Sequence, residues 1–182
     1  MPWLAFHRAV FLLTLVTSSS VMAAEETHPS SSPHLDHMIV GVKGVSTLEQ
    51  ASAHGQTLDF AGFGVAGIAE RTLFHDRLSL ELDLVYVAPG DERSLAVEPM
   101  TKLPWHINRY LEPYAAMGPM LLSIADGHGT HYWLGGGQLV VGSLFWLAEL
   151  MGLDFDLALG AARGTGMTML EASFAIGPVL RN

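Results

Sequence analysis

Three stretches of strict two-residue alternation constrain this chain more than anything else in it. Within 77–87, Leu78, Leu80, Leu82, Leu84 and Tyr86 fall on one parity, and Ser79, Glu81, Asp83, Val85 and Val87 on the other. Leu153, Phe155, Leu157 and Leu159 alternate in the same way with Asp154, Asp156, Ala158 and Gly160. Within 170–181, Leu170, Ala172, Phe174, Ile176, Pro178 and Leu180 share one parity, with Glu171, Ser173, Ala175, Gly177 and Arg181 on the other. Successive side chains of a β-strand point to opposite faces, so this period builds sheet with one apolar and one polar face.

Five weaker strands are predicted around these three, at about 37–46, 57–70, 94–103, 110–123 and 132–145. Most of the eight are near the ~9–11 residues that a tilted strand needs to cross hydrocarbon. The connections 47–56, 88–93, 125–131 and 163–167 are polar and carry Gly, Asp or His. Those between them, such as 71–76 and 104–109, hold Leu73, Phe74, Trp105 and Ile107. An even number of strands with alternating kinds of connection is the pattern of an outer-membrane barrel, with both termini on the periplasmic side. One segment, 142–153, also has spacing compatible with a helix.

Residues 1–24 read as a signal peptide. Arg8 closes a short n-region, 9–16 is apolar, and a small-residue stretch ends at Ala23-Ala24, where cleavage is expected. The apolar core is far shorter than the ~20 residues of a spanning helix. Residues 25–36, rich in Ser, Pro and His, read as a flexible leader, which leaves 37–182 for the barrel domain.

Composition removes several functional classes. The chain is 49% hydrophobic and 15% charged, too apolar for a disordered protein. With 9 Lys+Arg against 18 Asp+Glu it lacks the basic patch that nucleic acid requires. It has no cysteine, which excludes disulfides, thiolate metal sites and a lipid-modified N-terminal Cys.

The choice between a membrane barrel and a soluble one rests on which face is apolar. The apolar parity is nearly uninterrupted Leu, Phe and Val, whereas the charged parity is sparse and partly balanced. Its members are Lys43, Glu81, Asp83, Glu98, Lys102, Glu112, Asp154, Asp156, Glu171 and Arg181. Lipid outside and a polar interior fit this distribution. Eight strands enclose only enough space for side chains, so these ten residues are expected to form a hydrogen-bonded plug and not a pore. Tyr86, Trp105, Tyr110, Tyr132, Trp133 and Trp146 lie near strand ends, where interfacial aromatic girdles form.

The run Tyr110-Leu111-Glu112-Pro113-Tyr114, followed by Met117-Gly118-Pro119, resembles the mid-barrel strand of small outer-membrane β-barrel proteins of the OmpA/OmpX/OmpW-like group. The segment LEASFAIGPVLRN (170–182) is similar to the closing strand of that group. The group's last strand usually ends in Phe or Trp; here the last residues are Leu180-Arg181-Asn182, and Phe174 is the nearest aromatic. The resemblance implies an all-β, eight-stranded antiparallel up-and-down transmembrane β-barrel located in the cell outer membrane. The expected partners are outer-membrane lipid and lipopolysaccharide, with the barrel-assembly machinery during biogenesis and a monomeric end state.

The expected role is structural, surface-binding or small hydrophobic transport without an open pore. The alternatives are a lipid-modifying outer-membrane barrel enzyme and a soluble periplasmic β-barrel that binds an apolar ligand. No catalytic, cofactor or metal site is expected. The pairs His34/His37 and His128/His131 have His-x-x-His spacing, but they fall in the leader and at a loop tip and not on a rigid helix. Ser173 and Glu171 share a face, as a nucleophile and its orienting acid would, without a predicted histidine beside them. Asp154 and Asp156 have the spacing of an acid–base pair, yet pairing with Lys43, Lys102 or Arg181 explains them more simply. GFGVAG (62–67) lies inside a strand and lacks the following helix of a dinucleotide site.

Overall fold

A computed structural model describes residues 37–182 except 54, 74–76, 89–91, 126–129 and 165. The expected signal peptide and leader lie outside the described residues. Eight strands follow in chain order: β1 Met38–Ala53, β2 Gln56–Leu73, β3 Leu78–Val87, β4 Arg93–Pro104, β5 Leu111–Ala125, β6 His131–Trp146, β7 Met151–Gly164 and β8 Met167–Arg181. Each is antiparallel to the next, and β8 pairs with β1 to close the barrel. Closure leaves no unpaired strand edge. The fold is the all-β, eight-stranded antiparallel up-and-down barrel expected from the sequence, with the inside-out surface of a transmembrane barrel.

The register fixes its width. A row of paired residues runs Val42, Gly67, Leu84, Val97, Leu121, Gly135, Arg163, Thr168 and returns to β1 at Ser52. The difference between 52 and 42, ten residues, is the stagger of the closed sheet. With ordinary strand rise and spacing, that stagger over eight strands gives a tilt of about 40° and a backbone radius of about 8 Å. Such a lumen holds side chains and little else.

Several boundaries differ from the sequence reading. The predicted loop 47–56 is mostly strand: pairing of β1 with β2 continues to Ala53–Gln56. Thr47 and Glu49 are polar because they point into the lumen, not because the chain has left the sheet. Gly55, at φ 79°, supplies the left-handed conformation that so tight a hairpin needs. The predicted loop 163–167 shrinks likewise, to the connection between Gly164 and Met167. The segment 142–153 is not a helix. It is the end of β6, a bend at 147–150 and the start of β7, with the Leu147 and Ala148 N–H groups donating to the Met151 carbonyl.

The surface is inverted relative to a soluble protein. Phe63, at 76% exposure, heads a wall of outward Leu, Val, Met and Phe drawn from all eight strands. Lys43, Lys102, Glu70 and Asp154 are among the most deeply buried side chains. The lumen is not uniformly polar, however. Leu144, Val179 and Trp146 form an apolar cluster towards the end that holds the chain terminus Asn182. Leu134, Met169 and Met120 form another towards the opposite end. Sequence parity hid these clusters, because β5 and β6 carry apolar residues on both faces.

Candidate functional site

The lumen is the place where chemistry-bearing side chains meet. Around it the strands deliver one inward residue in two, and the stagger decides which of these share a level. Two lysines organise the half nearer the chain terminus. Lys102 on β4 is fully buried, at 0% exposure, and donates to Glu70 Oε2 at 2.8 Å and Glu81 Oε2 at 3.0 Å. Glu70 and Glu81 stand directly opposite each other in the β2–β3 register, a like-charge pair that this ammonium neutralises. Lys43 on β1 is ion-paired with Asp154 at 2.8 Å, hydrogen-bonded to Asp156, and 3.8 Å from Glu81.

Tyr114 joins the two lysine clusters. Its hydroxyl reaches Asp154 Oδ1 at 2.7 Å and is also hydrogen-bonded to Asp156, while Lys102 Nζ lies 3.7 Å from its ring centroid. The ring crosses the lumen because Gly142 faces it: a Cβ at Gly142 would run into the Tyr114 ring and the Phe155 carbonyl.

The other half of the polar belt is assembled differently. Asp83 and Glu98 are directly opposed between β3 and β4, and Glu49 and Glu171 between β1 and β8. Three of these four carboxylates receive neutral donors. Gln138 Nε2 donates to Glu98 at 2.8 Å, Thr47 to Glu49 at 3.0 Å, and Ser173 to Glu171. A cavity of about 30 Å³ lies between the two arrangements, and Lys43, Asp83, Glu98, Gln138, Asp156, Glu171 and Ser173 are among its lining residues.

Of the ten residues predicted for the interior, Lys43, Glu81, Asp83, Glu98, Lys102, Glu112, Asp154 and Asp156 are buried, and Glu171 is half-buried at the cavity. Arg181 sits at the terminal mouth instead of in the network. It stacks 4.3 Å from the Trp146 ring and donates to the Glu149 carbonyl. Glu112 is near the same mouth, with His106 at 3.1 Å and the Trp146 indole N–H at 3.5 Å. Trp146 is therefore a lumen residue, 6% exposed, and not part of a girdle; Tyr132 also packs inward, whereas Tyr86, Trp105, Tyr110 and Trp133 are exposed.

Sequence reasoning missed Glu70, Glu49, Gln138 and Tyr114. Parity carried along each strand would have found them, since Glu70 shares a parity with Ile68 and Tyr114 with Glu112. Ser173 and Glu171 line the cavity together, and no histidine is among its lining residues. His34 and His128 lie outside the described residues; His37 hydrogen-bonds the Asn182 carbonyl and His131 is exposed.

Comparison with solved structures gives the same architecture. The chain is similar to Neisserial surface protein A (TM-score 0.59, 12% identity, covering 78% of this chain and 96% of that one). It is also similar to the N-terminal β-barrel domain of Pseudomonas aeruginosa OprF (0.52, 13%, 78% and 97%). A third is Ail, the attachment invasion locus protein of Yersinia pestis (0.51, 11%, 79% and 98%). At these identities the likeness is one of fold, over the whole barrel in each case. No family model matches the chain, and no curated protein does.

Proposed function

We propose that the protein is a closed barrel of the bacterial outer membrane with a structural or surface-binding role, and that it does not conduct solutes through its lumen. The observation that carries this reading is the inverted distribution of side chains. Large apolar groups such as Phe63, Leu139, Leu159 and Met117 face outward, and a charged, hydrogen-bonded belt is sealed inside. Water is a poor solvent for the first and hydrocarbon for the second, so lipid is the surrounding phase that satisfies both.

The lumen is blocked by the lysine–carboxylate belt and its apolar caps. Its cavity of about 30 Å³ is room for a water molecule or two and not for a solute. Any recognition therefore belongs to the hairpins at the end opposite the chain terminus or to the lipid-facing wall. Of the similar structures, one is described as a surface protein and another as an attachment invasion locus protein, which supports a surface role. The partners in this reading are lipid acyl chains and lipopolysaccharide, with the barrel-assembly machinery during insertion. A closed sheet with no free edge suits a monomer.

Fractionation is the direct test. The protein is expected in the outer-membrane fraction, extracted only by detergent, with gel mobility that shifts on boiling; release with periplasmic contents would sink the proposal. In planar bilayers the reconstituted barrel should show no steady conductance. Leu139→Arg, a charge on the lipid face of β6, is expected to destabilise the bilayer-inserted barrel by about 2–4 kcal/mol. An unchanged urea midpoint in lipid vesicles would place that face elsewhere.

A further inference from the structure

The outward wall carries two arginines at the end opposite Asn182. Arg93 is the first residue of β4 and Arg163 the last but one of β7, and both are exposed. Neither makes an ion pair or a hydrogen bond among the described residues. The closed register fixes their relative heights. The row of paired residues that starts at Val42 and returns at Ser52 climbs towards this end from β1 to β8, and it passes through Arg163. Arg93 lies four residues further up β4 than Val97, which is in the same row. With a tilt of about 40°, the two arginines come within about 2 Å of one level, roughly 20 Å apart around the wall. Trp133, 63% exposed, belongs to the same level and falls between them. It stands about 30 Å above Trp105 on the opposite rim, so the apolar band lies between the two indoles and the arginines are at headgroup depth.

Positive charge at this level is confined to one sector. Across the barrel the same level is held by Gln50 and Asp59, which satisfy each other at 2.9 Å. Directly below Trp133 and Arg163 the wall is smooth. Gly135, Gly137 and Ala161 face outward between the exposed Leu121 and Leu159, and a Cβ at Gly135 would meet nothing within 4 Å. A shallow trough thus descends from the arginines into the apolar band. We propose, resting on the membrane reading above, that this sector binds one phosphorylated glycolipid of the outer leaflet, the lipid anchor of lipopolysaccharide. Arg93 and Arg163 take its phosphates, and the trough takes an acyl chain. Guanidinium forks match phosphate oxygens, and unpaired ones are free to do so. With the Trp133 indole between them, the two arginines suit a headgroup that carries two phosphates. An indole at that depth packs against the sugar–acyl boundary, where amphipathic rings settle.

The test is native mass spectrometry of the full chain, folded in zwitterionic detergent and titrated with bisphosphorylated lipid A. Folding of every sample is checked by the boiling-dependent gel shift. One lipid per barrel is expected, and lipid A stripped of its phosphates should bind far more weakly. Arg93→Gln and Arg163→Gln should each weaken binding by about tenfold, as the loss of a charge-assisted contact does. Gly135→Leu, which fills the trough from a position with room for a side chain, should weaken it too. Arg109→Gln, at the exposed opposite rim, should leave it unchanged. Absence of lipid A binding by the unaltered chain would overturn the proposal. So would binding that survives both arginine substitutions or Gly135→Leu, that loss of the phosphates leaves unchanged, or that Arg109→Gln weakens as much. A chain that fractionates with the outer membrane yet binds no lipid A would sink this proposal alone, whereas release with periplasmic contents would sink the membrane reading with it.

Discussion

The two halves of the lumen contain the same kind of acidic side chain and treat it in opposite ways. Towards the chain terminus, the opposed pair Glu70 and Glu81 is bridged by Lys102, while Asp154 and Asp156 are gathered by Lys43 and Tyr114. Towards the other end, the opposed pairs Asp83–Glu98 and Glu49–Glu171 are met by an amide and two hydroxyls. The difference is one of interaction energy. A fully desolvated ion pair with several hydrogen bonds holds its geometry, and losing one partner leaves a buried charge exposed to no compensation. Neutral donors soften a like-charge contact without cancelling it. The first half therefore depends on its two lysines, whereas the second holds its opposed carboxylates with neutral donors.

Substitutions can break this contrast or sharpen it. The largest effect is expected from Lys102→Met, which leaves Glu70 and Glu81 facing each other with no cation between them. Breaking such a buried pair costs about 3–5 kcal/mol, read as a lower urea midpoint for the folded barrel in detergent. Adding Glu70→Gln to it should restore part of the loss, and no recovery would mean that the lysine acts mainly by packing.

Tyr114→Phe removes the hydroxyl that links Asp154 and Asp156 to the lysine clusters. Its cost should be about 1–3 kcal/mol, since buried acceptors lose a donor. Gly142→Ala, which pushes a methyl group against the Tyr114 ring, should cost a similar ~1–3 kcal/mol by overpacking. Combined with Tyr114→Phe, whose ring keeps the same plane of contact, it should still be harmful; a neutral outcome would show that the ring moves freely.

The smallest effect has the opposite sign. Glu171→Gln relieves the opposed pair with Glu49 and should stabilise the folded barrel in detergent by up to about 1 kcal/mol. Destabilisation there would show that Glu171 is compensated after all, and would erase the contrast between the halves.

The contrast was only half legible in the sequence. The alternation at 77–87 and 153–161 placed Glu81, Asp83, Asp154 and Asp156 on one face, as the strands do. It could not say that Lys43 meets Asp156, 113 residues away, while Asp83 does not share that partner equally. Trp146 was misread for a related reason. A strand-end aromatic suits an interfacial girdle or a lumen cap, and only its parity relative to Leu144 and Gly142 distinguishes them. The hairpin at Gly55 was misread as a long loop because inward polar residues on an apolar background look like a break in the sheet.

Local order, then, was written in the residues themselves: the two-residue period dictates strands with one apolar and one polar face, and the closed structure shows the apolar face turned outward. Partner choice was decided by closure. A stagger of ten residues brings Lys102 to Glu70 and Glu81, and leaves Asp83 facing Glu98. Stagger is a property of the whole ring of hydrogen bonds, satisfied by all eight strands at once, and no single segment encodes it.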